Sequence, residues 1–187
     1  MIVQIRGTSG SGKSYVVHKI LQKDLGWKPI TEKWGKINRQ IPLYYISGDG
    51  KIAVAGSYGA VCGGCDTLGA AGHAFKLYEL LKERQIKHIV SEGLLLSEDT
   101  KWTLEAKARG WNPKVFHLTT TKDVCLKQLL DRREKSGNTK PLNKENGIRR
   151  MAVIERAIGK LRKAGVQCFD VPSKNCTALV LRTVGVQ

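Results

Sequence analysis

The stretch Met1-Ile-Val-Gln-Ile-Arg-Gly7-Thr8-Ser9-Gly10-Ser11-Gly12-Lys13-Ser14 decides how the rest of the chain is read. It begins as a short β-rich apolar run that stops at glycine. Beyond it, Val16, Val17, Ile20 and Leu21 share one face of a helix expected from Lys13 to about Leu25, with Gly26 as its stop. Strand, glycine loop and helix form the setting in which Gly7-x4-Gly12-Lys13-Ser14 binds phosphate. Backbone N–H groups of Gly7, Thr8, Ser9, Gly10, Ser11 and Gly12 can wrap the anion, and the helix N-terminus adds partial positive charge. Lys13 is expected to reach the β- and γ-phosphates of a nucleoside triphosphate, most simply ATP, and the Ser14 hydroxyl to ligate Mg2+.

Outward from this loop, the pattern alternates. Leu43–Ser47 and Lys51–Tyr58 flank Gly48-Asp49-Gly50, a hairpin signal. Helices are expected near 70–84, 98–109, 122–135 and 144–164 and after Pro172, and strands near 86–91, 114–119 and 166–171. Strands alternating with helices imply an α/β fold with a parallel central sheet flanked by helices and right-handed crossovers. The whole reads as a P-loop NTPase, nucleotide-kinase-like domain over 1–187, with an inserted β-hairpin and acceptor loop about 42–68 and a basic lid about 132–148.

Composition narrows the partners. Hydrophobic residues make up 41% and charged residues 26%, as in ordinary globular chains. No apolar run approaches a membrane span, and the N-terminus lacks the features of a signal peptide, so no membrane partner is expected. Lys and Arg total 32 against 16 acids, a net charge of +16 that nucleotide handling alone does not require. A field that positive implies a polyanion, and nucleic acid is the commonest candidate. Five cysteines without an export signal are expected to be reduced thiols in a cytoplasm.

Several residues carry candidate chemistry. Glu92, in Ile89-Val90-Ser91-Glu92-Gly93, is the expected second acidic position, a carboxylate at a strand end that holds Mg2+ directly or through water. Asp66, in Cys62-Gly63-Gly64-Cys65-Asp66-Thr67, is the preferred acceptor-side carboxylate, with an Asx-turn or helix cap as the alternative. Asp49 competes with it but is explained by the hairpin turn. Cys62-x-x-Cys65 lacks a second ligand pair, with His73 the only nearby imidazole, so packing is favoured over zinc or redox chemistry. Arg132, Arg133, Lys135 and Lys140 surround Ser136-Gly137-Asn138 as a lid whose arginines can neutralise transition-state charge. Arg149, Arg150, Arg156 and Lys160 extend that surface or form a solvated helix face. Trp27, Trp34, Tyr44 and Tyr45, near Lys28, Lys33, Lys36 and Arg39, suit either stacked bases or core packing.

With these residues in view, the chain resembles the thymidylate-kinase-like P-loop kinases, and within them the phage 5-hydroxymethyluracil DNA kinases. The resemblance runs over nearly the whole chain and rests on Gly56-Ser57-Tyr58, Cys62-Gly63-Gly64-Cys65-Asp66-Thr67 and Ser91-Glu92-Gly93. It implies transfer of the ATP γ-phosphate to the hydroxymethyl group of 5-hydroxymethyluracil in DNA, a step in thymidine hypermodification that protects a phage genome from restriction. The Asp-Arg pair typical of cellular thymidylate kinases is missing, which argues against free thymidylate as acceptor. The residues alone leave open a kinase for 5′-hydroxyl ends, a kinase for free nucleosides or nucleotides, and a DNA-binding ATPase without phosphotransfer.

Overall fold

A computed structural model describes residues 1–34, 41–59, 63–138 and 142–186. Strand β1 (Ile2–Arg6) is wholly buried and lies at the middle of the sheet's five parallel strands. It is parallel to β5 (His88–Glu92) on one side and to β6 (Pro113–Leu118) on the other. β4 (Ile52–Ala55) continues the parallel set beyond β5, and β7 (Gln167–Val171) continues it beyond β6. The five parallel strands, taken in chain order, therefore lie 2-3-1-4-5 across the sheet.

The expected hairpin forms, pairing β3 (Tyr44–Ile46) antiparallel to β4 around Gly48-Asp49-Gly50. Its second strand is a full member of the central sheet. A further short strand, β2 (Lys28–Ile30), joins β3 antiparallel at the edge, where the missing N–H of Pro29 is tolerated. The sheet is thus seven-stranded and mostly parallel.

Side-chain alternation along each strand splits the core between two faces. Val3, Ile5, Val54, Val90, Phe116 and Leu118 meet Val16, Val17 and Ile20 of α1 (Lys13–Leu21) and Cys176, Val180 and Leu181 of α7 (Ser173–Thr183). On the other face, Ile2, Ala53, Ala55 and Ile89 meet Phe75, Leu77, Tyr78 and Leu81 of α2 (Ala71–Glu83). Val115 extends that second face against Ile154, Ile158 and Leu161 of α6 (Lys144–Lys163). Each buried aliphatic contributes roughly 1.5–3 kcal/mol of transfer free energy, so both layers hold the sheet firmly.

Two local departures bear on the site. α1 stops at Leu21, with Gln22 as its C-cap, short of Gly26. The helix expected near 98–109 forms as α4 (Lys101–Ala108), and a short helix that the sequence did not announce, α3 (Leu94–Glu98), precedes it; Asp99 Oδ2 accepts from Trp102 N–H at 2.9 Å where α4 begins. α5 runs Lys122–Lys135 as the sequence predicts. No described helix is long and apolar enough to cross a membrane.

Candidate active site

β1 and β5 are neighbours whose following connections leave in opposite directions, to β4 on one side and β6 on the other. The crevice beyond the carboxyl ends of such strands is where open α/β sheets bind ligands. Register sets the alignment there: Ile5 pairs with Glu92, so the glycine loop leaves β1 beside the end of β5. Gly12, at φ 94°, holds the left-handed turn that opens α1, a conformation glycine adopts without steric cost. Thr120, just past β6, donates to the Ser11 carbonyl at 2.8 Å and ties the loop to a second strand end.

Within this frame Lys13 is buried, and its ammonium donates to the carbonyls of Gly7 at 2.8 Å and Thr8 at 2.9 Å. Burial lowers its pKa, and the nearby carboxylates of Glu92 and Asp66 oppose that shift. Ser14 Oγ donates to Glu92 Oε1 at 2.9 Å. Glu92 is only 2% exposed. Burial raises its carboxyl to about 7 despite the opposing charge of Lys13 and the Ser14 hydrogen bond. Gly64, at φ 79°, packs directly against this carboxylate, and a Cβ at that position would collide with it.

Asp66 lies in a 3-10 turn, Cys65–Leu68. Its Oδ2 accepts from Leu94 N–H at 2.7 Å and its Oδ1 from Leu95 N–H at 3.0 Å. The expected helix cap is therefore real, but the helix it caps is α3, not the one beginning near Ala70. A cavity of about 260 Å³ gathers Gly12, Lys13, Ser14, Asp66, Glu92 and Arg132 around one space. Ser9, Gly10 and Gly63 also line it.

Other expectations divide. Arg133 donates to Asn138 Oδ1 at 3.3 Å at the end of α5, while Arg132 is the arginine that lines the cavity. Arg150 pairs with Glu98 at 3.5 Å, and Arg149 donates to Asn146. Asp49 accepts from Ser47 Oγ at 2.7 Å and from Lys51 N–H at 3.0 Å. It precedes β4, whose Ile52 pairs with His88 at the start of β5, so it sits at the end of the sheet opposite Glu92. Cys65 is buried, and burial pushes its thiol well above the ordinary range. Tyr44 is buried, and Trp27, Trp34 and Tyr45 pack partly buried against the two core faces. Cys62, Lys36, Arg39 and Lys140 lie outside the described residues.

Sequence reasoning overlooked three contributors. Gln128 lines the cavity from α5, one helical turn before Arg132, a spacing that could have revealed it. Ser97 Oγ accepts from Gly7 N–H at 3.1 Å and donates to the Gly93 carbonyl at 2.7 Å. Arg6, fully buried, donates to Gln4 Oε1 at 2.8 Å and to the Asp99 carbonyl at 2.6 Å, with further bonds to Ser97 and Thr103. Burial lowers the Arg6 guanidinium to about 10.

A glycine loop opening a helix, a lysine within it and an arginine across the cavity can hold an anion of several charges. The Ser14–Glu92 pair offers oxygen atoms alone, the donor set of a hard cation such as Mg2+. Among the described residues no cluster of three or more His, Cys, Asp or Glu side chains is available for a metal.

No protein-family model matches the chain. It is similar to the 5-hmdU DNA kinase of Pseudomonas phage PaMx11, 30% identical over 175 residues that cover 90% of this chain and 89% of that protein. It is also similar to the 5-hmdU DNA kinase of Delftia phage PhiW-14, 25% identical over 197 residues, 96% of this chain and 72% of the relative. With that coverage and identity, set beside a glycine loop, lysine and carboxylates gathered on one cavity, the chain belongs to the 5-hmdU DNA kinases.

Proposed function

We propose that the chain works as one P-loop kinase domain over residues 1–187, with ATP as phosphate donor and Mg2+ as its metal. As a 5-hmdU DNA kinase it is a phosphotransferase whose acceptor is the hydroxymethyl group of 5-hydroxymethyluracil in DNA. The 2-3-1-4-5 order of parallel strands around the glycine loop supports the fold assignment. The observation that carries the mechanism is the single cavity onto which Lys13, Ser14, Glu92, Asp66 and Arg132 all open.

The base leaves the stack to bring its hydroxymethyl group into the cavity, at a cost of about a few kcal/mol. Asp66 is held by two N–H groups of α3, and each oxygen keeps a lone pair for the substrate hydroxyl. It orients that hydroxyl and accepts its proton as the new O–P bond forms in line with the breaking bond between the γ-phosphorus and the departing ADP, which keeps that bond's electron pair. Lys13 exchanges its two loop carbonyls for the β- and γ-oxygens. Arg132 closes on the equatorial oxygens, and Arg133 fixes the start of the lid through Asn138. A bound Mg2+ would neutralise charge on the donor's phosphates, and Ser14 and Glu92 are the residues that would hold it. The phosphorylated base then serves as an activated intermediate in thymidine hypermodification, carried out in the host cytoplasm and protecting the phage genome from restriction.

Transfer of label from γ-labelled ATP to DNA containing internal 5-hydroxymethyluracil tests this, beside matched thymine DNA and free nucleotides. Label confined to the modified DNA and resistant to end-directed phosphatase is expected. Label on 5′ ends or monomers would remove the DNA-base acceptor.

A further inference from the structure

A groove of about 750 Å³ runs between α1 and α7, larger than the catalytic cavity. Its polar wall carries Lys19, Lys23, Lys174 and Arg182, and among the described residues no acidic side chain lines it. All four cations are exposed, and among the described residues none lies in an ion pair. Four like charges facing one groove repel one another, an arrangement that a polyanion relieves.

Tyr15 joins the two sites. It lines both the groove and the catalytic cavity, it is 56% exposed, and the Lys19 ammonium lies 5.7 Å from its ring centroid. An exposed aromatic flanked by cations is the arrangement that stacks a base while phosphates are neutralised alongside. From Lys174 to Arg182 the helix rises about 12 Å, enough for roughly three to four nucleotides at about 3.4 Å per strand step.

We propose that the α1–α7 groove carries the DNA strand flanking the modified base, with Lys19, Lys23, Lys174 and Arg182 on its phosphates and Tyr15 stacking a neighbouring base at the cavity mouth. The proposal rests on DNA being the acceptor. It makes the groove a binding surface apart from the phosphate-transfer machinery.

The test compares the wild-type protein with a Lys19→Gln/Lys23→Gln/Arg182→Gln variant. A second variant, Lys76→Gln/Lys163→Gln, removes exposed cations elsewhere. Binding of a fluorescent 5-hydroxymethyluracil oligonucleotide is followed across salt concentrations, and phosphotransfer is measured with varied ATP and varied DNA. The groove variant is expected to raise the KM for DNA about tenfold or more with the KM for ATP unchanged. Its salt slope should fall by roughly 0.7–0.9 for each phosphate that the protein no longer neutralises. Unchanged DNA affinity and slope would overturn the proposal. So would an equal loss in the control variant, which would leave only net charge, or a raised KM for ATP alone, which would give the groove to the nucleotide. If the wild type fails to label DNA, the acceptor assignment fails, while the binding slopes still decide the groove.

Discussion

Ser14 and Glu92, seventy-eight positions apart, share a 2.9 Å hydrogen bond across the ends of β1 and β5. The pair exists because parallel register sets the glycine loop beside the carboxyl end of β5. Its carboxyl group, raised to about 7 by burial, is poised between protonation states near neutral pH.

Glu92 therefore gives opposite pH trends in activity and stability. Its folded value of about 7 exceeds the ordinary 4.5, so between those values the folded chain holds more protons than the unfolded one. The resulting stability is fully present below pH 4.5 and is lost as pH rises through 7. Its size is on the order of 3 kcal/mol. Metal binding needs the ionised form, so kcat/KM should rise over the same interval. Thermal melts and rates of wild type and Glu92→Gln across pH 5 to 8 check this. The variant should lose transfer and flatten the melting profile. A wild-type profile without the fall in stability would contradict the argument.

Substituting Lys13 separates catalysis from folding. Lys13→Met should lower kcat by about 10²–10³ or more, the scale of a lost charge-stabilising donor. Melting temperature should hold or rise, because the variant no longer buries an ammonium against loop carbonyls. A large fall in melting temperature would instead make the lysine structural.

For Asp66, side-chain shape and charge can be tested apart. Asp66→Asn keeps one carbonyl oxygen for capping α3 and should stay within about 0.5 kcal/mol of wild-type stability. Its transfer rate should fall about 100-fold or more. Asp66→Ala should lose both the rate and about 1 kcal/mol. Asp49→Asn, at the opposite end of the sheet, should retain full activity. Equal activity of Asp66→Asn and wild type would remove Asp66 from the mechanism.

The two lid arginines should differ. Arg132 lines the cavity, so Arg132→Ala should lower kcat about 100-fold. Arg133 bonds Asn138, so Arg133→Ala should cost less than about tenfold and act through lid closure. Single-turnover and steady-state rates for both variants distinguish these outcomes.

Much of the fold is legible in local patterning. α5 matches its expected bounds, and the hairpin around Asp49 forms where its turn residues require it. The glycine loop, Glu92 and Asp66 are legible as candidates because glycine spacing, a strand-end carboxylate and a carboxylate in a glycine-rich loop are local signals. What escapes is tertiary. β2 carries Pro29 and little alternation, and it becomes a strand only because β3 presents an open edge. α3 and α4 separate because Asp66 caps the first from twenty-eight positions away and Asp99 supplies a new start. Arg6 reads as the polar end of an apolar strand. Its burial depends on partners more than ninety positions along the chain.

The Ser97 hydroxyl joins the start of the glycine loop to the residue after β5, accepting from Gly7 and donating to Gly93, while Arg6 holds the carbonyl groups on either side of Glu98. The glycine loop and the chain just past β5 are therefore fixed to each other by hydrogen bonds of the folded chain itself. Their spacing is a product of folding. Whatever timing the enzyme has must be written in the segments that carry no such pin.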